Sequence, residues 1–157
     1  MNRMLATCVL VIILGASILS VPATTYAGFQ ADYDRALKVF QSAKSNADYQ
    51  AAIKAFSTLA ERKDAGDLYA NCLYWIAESW YGLKDYVQAL NEFEKVLVTP
   101  KSNKEEAARY KVAICYVRLD WEDSARWELS RFLRDFPASN LAGSVKKELD
   151  KLPKSGR

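Results

Sequence analysis

The chain has 157 residues, half of them apolar and 26% charged, which suits one folded domain rather than a disordered segment. Its 22 basic against 19 acidic residues leave too small an excess for a nucleic-acid or membrane-surface footprint. Histidine is absent, which removes triads of the Ser-His-Asp and Cys-His kind and the commonest metal ligand. The six glycines are spaced neither as GxGxxG nor as GxxxxGK, so phosphate-cradling loops are excluded as well. No cofactor, no metal and no catalysis are expected.

The chain opens with Asn2 and Arg3, then an uncharged stretch from Met4 to Val21 with a continuous aliphatic run from Val9 to Leu14. Pro22 interrupts it, and Thr25 and Ala27 put small residues at the −3 and −1 positions of a cut before Gly28. That layout predicts a secretory signal peptide over residues 1–27 and an exported protein, which the resemblance given below places in the periplasm. A lipoprotein built on Cys8 does not fit, because the apolar run follows that cysteine instead of preceding it. The alternative that stays open is an inner-membrane anchor, with residues 4–21 retained at the lower length limit of a spanning helix.

From residue 28 to 152 the sequence repeats itself at intervals of 36 to 37 residues. Asp48-Tyr49, Asp85-Tyr86 and Asp120-Trp121 each open a similar helix, and Ala52, Ala89 and Ala125 follow them. Phe56, Phe93 and Leu129 come four residues later, and Pro100 and Pro137 close two of the helices. An amphipathic run precedes each of the last two, with Leu73, Ile76, Ala77 and Trp80 in one and Val112, Ala113 and Tyr116 in the other. Spacings of three and four place these on one helical face. Asp85 with Gln88, and Asp120 with Asp123, have the spacing of N-caps. Ala77 facing Ala89, and Ala113 facing Ala125, allow two helices to approach closely, with Trp80/Phe93 and Tyr116/Leu129 filling the rest. Each helix pair has an apolar face that it cannot bury alone, so the pairs must stack. Ser139 to Leu152 reads as a single closing helix with Lys146, Lys147, Asp150 and Lys151 outward, and residues 153–157 as a disordered tail.

A large residue, a small one and an aromatic, then D-Y-x-x-A-L-x-x-F and a closing proline, resemble the tetratricopeptide repeat. Copies at about 70–103 and 106–139 match well, and one at about 33–66 is degenerate, with Phe40 where a small residue belongs. The resemblance implies an all-α fold, an antiparallel helix-pair solenoid of about three repeats plus a C-terminal capping helix. Residues 33–40 (YDRALKVF), 48–56 (DYQAAIKAF), 74–78 (YWIAE) and 132–137 (FLRDFP) are further similar to the periplasmic Tol–Pal-associated cell-division coordinator family. The repeats begin within a few residues of the expected cut, where that family carries a trimeric coiled coil, so the oligomeric state is left open.

This resemblance implies a scaffold that holds a peptide segment in its concave groove. The groove positions are Asn71, Tyr74, Glu78 and Tyr81 in one copy and Tyr110, Ile114 and Arg118 in the next. The implied partner is a cell-envelope protein, of Tol–Pal type or an outer-membrane assembly component. No nucleic acid is involved, and the membrane only through the leader. The pairs Glu105/Glu106 and Glu92/Glu94 lie beside lysines on polar faces and read as solvated charges rather than an acid–base pair. Cys72 and Cys115 stand third and tenth in their repeats. Seven residues of helix separate them by about 10 Å of rise, beyond the ~7 Å limit for a bridge, so two free, buried thiols are expected. Trp121 is expected to staple the turn before its helix, and Trp127 is either exposed or set against the closing helix.

Overall fold

The computed structural model describes residues 23–153, with side chains from residue 28 onward. Residues 1–22, which hold the expected anchor (4–21) and most of the expected signal peptide (1–27), and the last residues of the tail lie outside the described residues.

Every described element is helical. The order is α1 (Ala23–Gln41), α2 (Asn46–Ala60), a 3-10 turn at Gly66–Leu68, then α3 (Tyr69–Gly82), α4 (Tyr86–Val98), α5 (Glu105–Arg118), α6 (Glu122–Asp135) and α7 (Ala142–Lys151). Each helix packs on its sequence neighbour, and α1 also touches α3 across the stack. This is the tetratricopeptide-type helix-pair solenoid: α1, α3, α5 and α7 form one row, and α2, α4 and α6 the other.

The close approaches that hold the pairs are the expected alanines. Ala77, Ala89, Ala113 and Ala125 are fully buried, and Phe93 and Leu129 fill the space beside them. Trp80 is half-buried against the same core. One large cluster runs from Phe29 to Cys115, and a second, of Ala113, Leu129, Phe132 and Val145, seats α7 on α5 and α6. Cys72 and Cys115 are free and buried, and burial pushes both thiols up to about 12.

Three sequence expectations change. The first repeat begins at Ala23 rather than near Tyr33, because α1 extends far enough to bury Phe29 under the Arg62 guanidinium, 4.9 Å from the ring. Arg62 is itself held between Asp32 and Asp64 at 2.6 Å each.

Asp120 is not an N-cap. It has φ 56 and closes α5, as Lys84, with φ 62, closes α3 thirty-six residues earlier. In each turn the next N–H bonds five residues back, Asp85 to Trp80 and Trp121 to Tyr116, the helix-ending motif that needs a left-handed residue. Asp tolerates that conformation better than most side chains. The counterpart of Asp85 is therefore Trp121, which caps α6 without a side-chain bond, whereas Asp85 accepts from Gln88 N as expected. Asp48 sits third in its helix, where it and the N-cap Ser45 bond each other's backbone N–H groups in a reciprocal capping box.

The closing helix is shorter than Ser139–Leu152, because Ser139 is used to prepare its entry. The Ser139 hydroxyl accepts from Leu141 N at 2.9 Å and donates to Glu106 at 2.5 Å.

Candidate functional site

The inner row presents α3 and α5 side by side. Along α5, three cations recur every seventh residue: Lys104, Lys111 and Arg118. Seven residues are almost two full turns, so all three lie in one stripe. The two lysines rest on aromatic rings of α3, and the arginine is bonded to a tyrosine hydroxyl there. Lys104 Nζ is 5.4 Å from the Tyr74 ring and 5.6 Å from the Trp75 ring. Lys111 Nζ is 4.5 Å from the Tyr81 ring. Arg118 Nε donates to the Tyr81 hydroxyl at 3.1 Å, and this bond chiefly holds the guanidinium above its ordinary pKa.

The middle cation is neutralised. Lys111 Nζ lies 2.8 and 2.9 Å from the two Glu78 carboxylate oxygens, tying α5 to α3. Lys104 and Arg118 make no ion pair among the described residues. Fourteen residues of helix separate them by about 21 Å. The stripe thus offers two available cations, one over aromatic rings and one held by a tyrosine hydroxyl, with a closed ion pair between them. Cation–π contacts of this kind fix long, flexible side chains that would otherwise cost rotamer entropy on binding.

The sequence-derived groove residues fall into two groups. Glu78, Tyr81 and Arg118 come together around Lys111. Tyr74 is beside them, but its ring is packed edge-on to Trp75 and Phe93, at 5.3 and 5.5 Å. Burial, with the Glu78 charge adding, pushes its ionisation well above the ordinary tyrosine range, so it stays a neutral phenol. Asn71 and Ile114 lie inside the packing at 7% and 8% exposure. Tyr110 stacks its edge on Phe132 at 6.2 Å as part of the second cluster. Tyr74 and Tyr110 therefore serve the fold as much as any guest.

Sequence reasoning missed Lys104 and Lys111. Their heptad spacing to Arg118 was readable, but their pairing with α3 depends on how two helices align. It also missed Trp75, whose indole N–H donates to the Tyr33 hydroxyl at 2.7 Å and links α3 to α1. Among the described residues no group of His, Cys, Asp and Glu is arranged to hold a metal. No described helix is long and apolar enough to cross a membrane.

Residues 71–102, spanning α3 and α4, match the tetratricopeptide repeat family model. No curated protein matches the chain.

Proposed function

We propose that this tetratricopeptide repeat protein is a non-enzymatic scaffold that holds a segment of a partner polypeptide along the α3–α5 face. The observation that carries this reading is the cation stripe of α5 held against the aromatic residues of α3, the lysines over rings and Arg118 on the Tyr81 hydroxyl. A rigid surface with fixed aromatic and arginine anchors binds peptide without chemistry, and such side chains dominate interface energetics. Lys104 and Arg118 favour acidic groups on the guest.

The sequence resemblance extends the proposal. The protein is exported to the periplasm, with a cut after Ala27, and its partner is a cell-envelope protein of Tol–Pal type or an outer-membrane assembly component. The test is a photoreactive side chain at position 118, compared with one at Gln88 on α4, in intact cells. The reading expects an envelope protein captured from position 118 and not from position 88. Identical capture at both positions, or capture of no envelope protein at 118, contradicts it.

A second reading keeps residues 4–21 as an inner-membrane anchor. It is favoured by α1 running unbroken from Ala23 through Ala27 and Gly28, where a cleavable leader ends in extended chain. The N-terminal residue of the protein purified from its source separates the two: Gly28 for the exported form, Met1 for the anchored form.

A further inference from the structure

A second, chemically opposite surface lies between α5 and α6, one helix from each row. A cleft of about 310 Å³ is lined by Tyr116, Asp123, Ser124, Trp127 and Glu128. Trp127 is 59% exposed and the nearby Trp121 is 49% exposed, which is unusual for indoles in so small a chain. Trp121 lies against the Tyr116 ring, with centroids 5.9 Å apart and planes inclined by 31°. Trp127 is not among the hydrophobic residues packed on the cluster that seats the closing helix. It stands open to solvent beside the cleft.

Glu128 is the unusual member. The residue is 8% exposed, and its Oε2 is buried with no hydrogen-bond partner. A buried carboxylate oxygen without a donor is costly and rare unless something else supplies one. The groups around it do not balance the charge. Arg131 on α6 approaches Oε1 only to 3.9 Å and divides itself between Asp135, at 3.4 Å, and the face of Trp127, 5.0 Å from its guanidinium. Arg109 on α5 is buried but bonded to Glu105 at 3.2 Å. Glu94 on α4 faces the same region and accepts from the Tyr116 hydroxyl at 3.3 Å. Asp123 adds a third carboxylate at the rim. Burial, with Glu94 and Asp135 adding, holds the Glu128 carboxyl above its ordinary range, and the two arginines offset this only in part.

We propose that this cleft receives a lysine or arginine side chain presented by a partner polypeptide. The aromatic rings give the alkyl stem and the cation a face to rest on, and the carboxylates supply the countercharge. Arg131 already shows the chemistry within the chain: a guanidinium over Trp127 reaching toward Glu128. An acidic guest is repelled by Glu94, Asp123 and Glu128. A neutral apolar guest leaves the carboxylates of the cleft without a countercharge. The site is separate from the α3–α5 face and does not depend on it.

The test titrates the full-length protein with a synthetic peptide of alternating lysine and glycine, and with the same peptide acetylated at every lysine, following tryptophan fluorescence. The proposal expects binding of the first and loss of binding on acetylation. Glu128→Gln should weaken the lysine peptide at least ~10-fold, and Trp127→Ala comparably, while Glu61→Gln, at the C-cap of α2, changes affinity little. Arg131→Gln should strengthen binding by removing the cation that already lies over Trp127 and toward Glu128, and exposed Arg134→Gln should not. Arg118→Ala should leave the affinity unchanged, which keeps this site's failure distinct from that of the inner face. Equal binding of the acetylated peptide overturns the proposal. So do equal effects of Glu128→Gln and Glu61→Gln, or of Arg131→Gln and Arg134→Gln, since these report only overall charge.

Discussion

The inner and outer rows are built on the same helix pairs and carry opposite surfaces. On the inner row α3 and α5 lie close enough for their side chains to meet, so Glu78 pairs with Lys111 and Tyr81 with Arg118. On α6, Trp127 is left exposed and Glu128 Oε2 without a hydrogen-bond partner, while α3 and α5 keep buried unpartnered atoms of their own at Asn71 Oδ1 and Arg109 Nε. The frame decides this difference. Small residues at Ala77, Ala89, Ala113 and Ala125 set how near helices come, and that spacing decides which polar groups find partners inside the chain. Surface chemistry in such a stack follows from its geometry as much as from the composition of each face.

Four measurements sharpen the comparison. The largest effect is expected for Phe93→Ala, which empties the packing that both rows share. It should cost about 3–5 kcal/mol in urea unfolding and weaken both surfaces together. A loss confined to one row would show that the rows are energetically independent.

Gly82→Ala should cost about 1–3 kcal/mol. A Cβ there would lie 2.5 Å from Tyr49 Cε1, so the Tyr49 ring, which also meets Phe40 at 6.3 Å, would have to move. A neutral result would mean that the α2–α3 contact is loose.

Lys111→Met should cost about 1–2 kcal/mol, between the values for exposed and buried pairs, because it strands Glu78. Glu78→Gln in the same chain should recover part of this. Without recovery, the ion pair is not what joins α3 to α5.

The smallest effect has the opposite sign. The Glu128 pKa is raised in the folded state, so its contribution to stability is present below its unfolded value and is lost as pH rises through the folded one. At neutral pH, Glu128→Gln should therefore stabilise the protein by about 1 kcal/mol. The gain should shrink as pH falls through the raised folded pKa and be gone below the ordinary glutamate value. A destabilised Gln variant at pH 7 would show Glu128 to be well paired.

Much of this fold was legible in the residues. Periodicities of three and four marked α3 to α6, the alanines marked the close approaches, and Asp85 marked a helix start. The reach of α1 was not, because Phe29 looks like an isolated residue until Arg62 and α2 fold over it. The role of Asp120 was not either, since an Asp-aromatic dipeptide looks the same whether the Asp caps one helix or ends another by taking a positive φ. At the site, Glu78, Tyr81 and Arg118 could be placed from repeat register. Lys104 and Lys111 could not, because their partners are on a different helix. The buried state of Asn71 and Ile114 depends on the same inter-helix alignment.

The most direct test of the central claim, that the inner row is the guest surface, is backbone hydrogen exchange of the protein alone and bound to the partner captured at position 118. The account predicts slowed exchange in α3 and α5 with α4 and α6 unchanged. Slowing confined to the outer row, or none in α3 and α5, would contradict it.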